Sequence, residues 1–201
     1  MTAAVNGSAR LLIIGPQGSG KGTQGVHIAT SFDVPAIATG DVFRANISAG
    51  TELGRRVRSV VDAGELVSDE LTGDLVRDRL SQPDAVRGFL LDGYPRNVAQ
   101  AAQLDAFLSA DGHQLDAVIA LNVPRAESVR RLSQRAVEQG RADDTEALIS
   151  RRLEIYDRET KPMLDQYRER GIVVETDGIG TLTDVTTRIL DGLAERGIVA
   201  D

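Results

Sequence analysis

The clearest chemistry in the chain lies in one run, Gly15-Pro16-Gln17-Gly18-Ser19-Gly20-Lys21-Gly22-Thr23. It follows an apolar run, Leu11–Ile14, and opens a helical pattern that extends to about Ser31. Glycines let a backbone turn tightly and aim successive N–H groups at phosphate oxygens. The helix N-terminus behind them adds favourable partial charge. Gly18, Ser19, Gly20, Gly22 and Thr23 form the expected phosphate cradle. Lys21 is the ammonium that reaches the β- and γ-phosphates of a nucleoside triphosphate. The general pattern of such loops has Ser or Thr directly after the lysine. Here Gly22 intervenes before Thr23, so magnesium near Thr23 is expected to be held through water.

A second apolar run, Phe89-Leu90-Leu91, ends on Asp92. Alone, an Asp before Gly93 suits a turn or a cap. In one sheet with a phosphate loop it would face the metal ion and its waters. Basic residues come next. Arg131 and Arg135 lie four apart in a helical run from about 126 to 138 and share one face. Arg141 follows Gly140, and Arg152 comes eleven residues later, about three helical turns on. Asp143, with Glu146 three residues further, predicts a capping-box-like helix start. Dense arginine usually marks a solvated face. Between Val129 and Arg141, however, Glu138 is the single acid. Planar guanidinium groups suit phosphate oxygens and the charge of a phosphoryl group in transfer, so these arginines are read as a clamp.

These groups need a scaffold. Short, nearly continuous apolar runs occur at Leu11–Ile14, Pro35–Ala38, Phe89–Leu91, Ala117–Leu121 and Ile172–Val174. Such runs are expected of strands buried on both faces, and helical spacing fills the gaps between them. The alternation predicts an α/β fold with a parallel sheet. Two stretches exceed a minimal unit. Residues 39–67, punctuated by Gly40, Gly50, Gly54 and Gly64, predict two helices, and residues 131–144 form a basic-then-acidic segment. Inserts at the carboxyl edge of a parallel sheet commonly form lids and binding loops.

Composition narrows the functional classes. The chain has 201 residues, 41% of them apolar, enough for one domain with a full core. A net charge of −7 and 3% aromatics argue against nucleic-acid platforms and anionic membranes as partners. An acidic chain that binds phosphates must gather its cations locally. Cysteine is absent, which points to a reducing, cytoplasmic compartment and leaves no thiolate metal site. No apolar run approaches a membrane span, and residues 1–9 are expected to be a flexible tail without the apolar segment of a signal peptide. His27 and His113 stand alone and are assigned no role.

With these pieces placed, the chain resembles the adenylate kinases from about Leu11 onward. The resemblance rests on Gly15 to Thr23, on Thr-Gly-Asp-Val-Phe-Arg at 39–44, and on Gly-Glu-Leu-Val at 64–67. It rests also on Leu-Leu-Asp-Gly-Tyr-Pro-Arg at 90–96 with Gln100, and on Gly-Arg-Ala-Asp-Asp at 140–144. It implies a P-loop NTPase fold with a five-stranded parallel sheet, a helical monophosphate-binding insert at 39–67 and a short lid around 131–144, in a monomer that uses magnesium. By position, Thr39, Arg44, Glu65, Leu66, Val67, Gly93, Arg96 and Gln100 would hold AMP, with Arg44 on its phosphate and Gln100 on the adenine edge. Arg131, Arg135 and the Gly180 backbone would serve ATP. Arg141 and Arg152 would grip phosphates between the nucleotides. Lys21, Arg96, Arg135, Arg141 and Arg152 would stabilise the transferring group.

The resemblance implies reversible phosphoryl transfer from ATP to AMP, giving two ADP. Thr39 tilts the acceptor toward AMP, because relatives preferring UMP or CMP usually have a small residue without this hydroxyl there. Only Ala136 to Gly140 separate Arg135 from Arg141, which implies the short-lid form and no structural zinc. Ser68 stands where Pro is common and leaves the exit of the insert less restricted. Asn97 stands where Thr is common, with little consequence expected. A kinase for UMP or CMP is the nearest alternative. A nucleotide-dependent switch is the more distant one, weakened by the lack of an Asn-Lys-x-Asp base-reading pattern.

Overall fold

Five strands form one sheet: β1 (Arg10–Ile14), β2 (Ala36–Ala38), β3 (Phe89–Asp92), β4 (Ala117–Asn122) and β5 (Val173–Asp177). Their order is β2-β3-β1-β4-β5, and every neighbouring pair is parallel. The computed structural model describes residues 8–139 and 145–200. Strand side chains alternate between faces, and both faces are covered. Leu12, Leu91, Val118 and Ala120 enter one cluster, while Leu11, Ile13, Leu90 and Ile119 enter the other. This two-sided burial explains the unbroken apolar runs. Each fully buried Leu or Ile contributes about 1.5–3 kcal/mol.

The helices that cover the first face are α4 (Asp69–Leu80), α5 (Val98–Ala110) and α8 (Lys161–Glu169), through Val76, Leu104 and Leu164. The second face is covered by α1 (Lys21–Ser31) and α9 (Leu182–Ala194), through Ile28 and Ile189. Between β2 and β3 lie α2 (Thr39–Ala49) and α3 (Glu52–Asp62), the two helices expected of residues 39–67. The pair α6 (Arg125–Gln139) and α7 (Glu146–Ile155) packs through Leu132, Ile149 and Leu153.

Several local details differ from expectation. β5 runs on to Asp177 because it is an edge strand: Thr176 is buried while Glu175 and Asp177 are exposed, so alternation replaces a continuous apolar run. The start of α7 is capped by Thr145, whose hydroxyl accepts the Leu148 N–H at 3.4 Å. Thus the helix begins beyond Asp143, which lies outside the described residues. Ser68 caps α4 by accepting the Leu71 N–H, and Asn97 caps α5 by accepting the Gln100 N–H. Both residues therefore start helices, a role that their comparison with Pro and Thr had not suggested.

Candidate active site

β3 and β4 follow one another in sequence but flank β1 on opposite sides. The strand order reverses there, which opens a crevice at the carboxyl ends of the strands. The loop after β1 enters this crevice and passes directly into α1. Gly18 has φ of 80°, and a Cβ on it would lie 2.5 Å from the Ser128 carbonyl oxygen. Only glycine meets both conditions. Lys21 is the first residue of α1, and its Nζ donates to the Pro16 carbonyl at 3.3 Å. That bond folds the ammonium back over its own loop.

A cleft of about 410 Å³ extends from this loop to α2 and α3. Of the ATP-side candidates, Gly18, Gly20, Lys21, Gly22, Thr23, Arg131 and Arg135 line it. So do the AMP-side candidates Thr39, Arg44, Glu65, Leu66, Val67, Gly93, Arg96, Gln100 and Arg152, together with Asp92. Ser19 and Gly180 are not among the lining residues. The Ser19 N–H is used within the loop, on the Pro16 carbonyl, and its own carbonyl accepts from Arg131 at 3.3 Å. Gly180 lies beyond Gly178, whose carbonyl Arg131 also reaches, at 3.1 Å. Arg141 lies outside the described residues. His27 and His113 are exposed and away from the cleft.

The electrostatics of the cleft centre on Arg96. Burial draws Lys21 below its ordinary pKa; Asp92 opposes that shift, while Arg96 and Arg135 add to it. Burial likewise lowers Arg96, against Asp92 and with Arg152 and Arg44. Arg96 therefore belongs to two overlapping groups of cations. One contains Lys21 and Arg135, the other Arg44 and Arg152. A chain of net charge −7 has gathered its cations where polyanions would bind. Arg96 itself is anchored, its Nε donating to the Gly93 carbonyl at 2.7 Å. Its own carbonyl accepts the Thr160 hydroxyl at 2.7 Å. Thr160 ends the π-helical turn Tyr156–Thr160 between α7 and α8, a feature without a sequence signature.

Asp92 is the cleft's anion at the end of β3. Burial raises its pKa, and Lys21 and Arg96 oppose the rise. Its Oδ1 is buried and has no hydrogen-bond partner among the described residues. An oxygen so placed beside a phosphate loop suits the water shell of a magnesium ion. The backbone turns sharply after it: Gly93 has φ of 84°, and a Cβ there would stand 2.9 Å from Thr39 Oγ1. Thr39 is 2% exposed, and its hydroxyl faces the Asp92 carbonyl at 3.4 Å.

One expectation needs correction. Arg131 is not an arginine with few matched acids. Glu127, four residues earlier, accepts its Nε at 2.7 Å and also pairs with Arg130. With the two carbonyl contacts, all three nitrogens of Arg131 are engaged. Its guanidinium plane is thereby fixed beside the phosphate loop. The i, i+4 spacing of Glu127 and Arg131 was a readable signal just outside the window from Val129 to Arg141.

The parallel sheet, its glycine loop and this cation-lined crevice place the chain among the P-loop nucleotide-binding α/β proteins. A family model described as adenylate kinase matches residues 13–172. The chain is 54% identical over 189 residues to an adenylate kinase of Leifsonia xyli subsp. xyli, covering 94% of this chain and 95% of the relative. It is 53% identical to one of a Nocardioides species, over 92% of this chain and 96% of the relative. An adenylate kinase of Stenotrophomonas maltophilia is 48% identical over 90% of this chain and 97% of its own length. This chain belongs to the adenylate kinase family. Among the described residues no helix is long and apolar enough to cross a membrane.

Proposed function

We infer that this enzyme transfers the γ-phosphoryl group of ATP reversibly to AMP, giving two ADP. The observation that carries the reading is a single cleft lined by two sets of cations, Lys21, Arg131 and Arg135 beside the phosphate loop and Arg44, Arg96 and Arg152 toward α2 and the chain leaving α3. One nucleotide needs one such group; a donor and an acceptor meeting in line need two that touch. The phosphate loop and Lys21 hold the donor phosphates, with Arg131 and Arg135 beside them. Thr39 and Arg44 on α2, with Gly93 and Gln100, hold the acceptor. Glu65, Leu66 and Val67 line the acceptor end of the cleft, with Val67 offering backbone to the base. Ser19 supports the loop from beneath, and Gly180 is assigned to the vicinity of the ATP base.

An oxygen of the AMP phosphate attacks the γ-phosphorus directly, and ADP leaves from the other side. No general base is needed, because the attacking phosphate is already ionised near neutral pH. Lys21, Arg96, Arg135 and Arg152 stabilise the spreading charge, and Arg141 is assigned the same task. Asp92 and Thr23 would hold magnesium through water, and the ion would supply charge neutralisation for the donor phosphates. Residues 39–67 are assigned the role of a closing insert and residues 131–144, of which 140–144 lie outside the described residues, that of a short lid; together they would exclude water and so protect ATP from hydrolysis. Membership of the family suggests a monomer. The absence of cysteine supports a cytoplasmic setting. ADP formation from ATP with AMP, UMP, CMP or GMP in turn tests the reading. AMP is expected to give by far the fastest rate, and equal rates with UMP or CMP would move the assignment to another monophosphate.

A further inference from the structure

Gln100 lies in the first turn of α5, is 2% exposed and lines the cleft. Its amide is held at both ends. Oε1 accepts the Arg96 backbone N–H at 2.8 Å, and Nε2 donates to Asp69 Oδ1 at 2.7 Å. The same Asp69 oxygen accepts Asn97 Nδ2 at 2.9 Å, while Asn97 Oδ1 caps the Gln100 N–H at 2.9 Å. Behind them the buried Tyr94 hydroxyl donates to the Gln100 carbonyl at 3.2 Å.

An ionised carboxylate only accepts, and a backbone N–H only donates. Turning the amide over would set its NH2 group against the Arg96 N–H and its oxygen against Asp69. Both clashes would be buried, where unmatched polar groups cost most. The amide therefore has one orientation. After its two protein bonds it keeps one Nε2 hydrogen and one Oε1 lone pair. Adenine presents an amino donor beside a ring-nitrogen acceptor, whereas a 6-oxopurine presents an oxygen acceptor beside an N–H donor. The two patterns are reversed. An amide free to turn could serve either base, but a locked one serves only one.

We propose that Asp69 is a positioning residue that makes the acceptor site select a 6-amino over a 6-oxo purine monophosphate, by locking the Gln100 amide in one orientation. The proposal rests on the reading of this end of the cleft as the AMP site. Asp69 opens α4 just past residues 39–67, with the Ser68 cap between, so the chain that leaves the acceptor-side helices also delivers the residue that sets the base reader.

The test compares kcat and KM for AMP and for inosine monophosphate, at saturating ATP, in the wild type, Asp69→Leu and Asp69→Asn. Asp69→Leu is expected to lower the AMP-to-inosine-monophosphate ratio of kcat/KM about tenfold, the worth of one hydrogen bond. The change should fall on KM for the monophosphates and leave the KM for ATP unmoved. The amide oxygen that Asp69→Asn introduces can accept the same hydrogen, so this variant should recover most of the ratio. If Asp69→Leu does not fold, Asp69→Ala carries the same comparison. A folded variant that keeps the wild-type ratio, or loses both substrates equally, overturns the proposal and leaves the AMP site standing. A wild type indifferent to the two bases overturns the AMP-site reading and this proposal with it.

Discussion

Arg151 on α7 joins Glu65 across the mouth of the cleft, its Nε and Nη2 each 2.8 Å from Glu65 Oε1. The two residues are 86 positions apart in sequence. Arg151 precedes Arg152, and Gly64 lies against the Arg152 side chain, so the pair ties the chain leaving α3 to the helix that carries Arg152. The pair is half-exposed and hence weak and screened by salt. Arg151→Met should raise the KM for AMP about two- to fivefold at low salt. Near 1 M NaCl, about where screening becomes complete, the variant should match the wild type. A defect of the same size at both salt concentrations would show that the pair does not act through charge.

Glu127 fixes the plane of Arg131, and its pKa is held down to about 2 by hydrogen bonds from Arg130 and Arg131. The ordinary value is 4.5. A depressed carboxylate stabilises the fold fully above its ordinary value and loses that contribution as pH falls through the folded one. The stability gap between wild type and Glu127→Gln should be constant above pH 4.5 and close as pH falls toward about 2. Urea unfolding across that range measures it. Near neutral pH the variant should also raise the KM for ATP and spare that for AMP, since Arg131 lies beside the phosphate loop.

Arg44 tests which end of the cleft takes which nucleotide. It lies on α2, lines the cleft and pairs with Asp41. Arg44→Ala should raise the KM for AMP about 10- to 100-fold, the range for a hydrogen bond from a charged donor. The KM for ATP should stay within about twofold. Steady-state kinetics with each substrate varied decides it. A defect confined to ATP would mean that the two ends have been exchanged.

Gly18 links conformation to chemistry. Gly18→Ala would strain a backbone at φ of 80° and drive a methyl group into the Ser128 carbonyl. The variant should lose more than about 1 kcal/mol of stability. It should also lose most of its turnover, because the cradle N–H groups can no longer converge. Thermal unfolding and ADP formation test the two effects separately. Full activity in a folded Gly18→Ala would show that the loop does not need this geometry.

The sequence made legible what is local or repeated along the chain. Two-sided burial writes itself as unbroken apolar runs, so β1, β3 and β4 could be found. The phosphate loop is a single stretch whose chemistry resides in its own residue types. What stayed hidden depends on separation or on an edge. The end of β5 alternates because one face is open. Asp69 meets Gln100 over 31 positions, and Arg151 meets Glu65 over 86, with no local pattern for either. By comparison with Pro and Thr, Ser68 suggests a looser exit from the insert and Asn97 a neutral replacement; the placement of α4 and α5 reveals both as helix caps. The π-helical turn that brings Thr160 under Arg96 has no compositional mark at all.

The most direct test of the account follows the phosphoryl group itself. The enzyme, magnesium and ATP labelled at the γ-phosphate are mixed with or without unlabelled AMP, and ADP and free phosphate are separated over time. The account predicts label in ADP as soon as AMP is present, and only slow release of free phosphate when AMP is left out. Free phosphate appearing at the same rate in both mixtures, with no label in ADP, would contradict it.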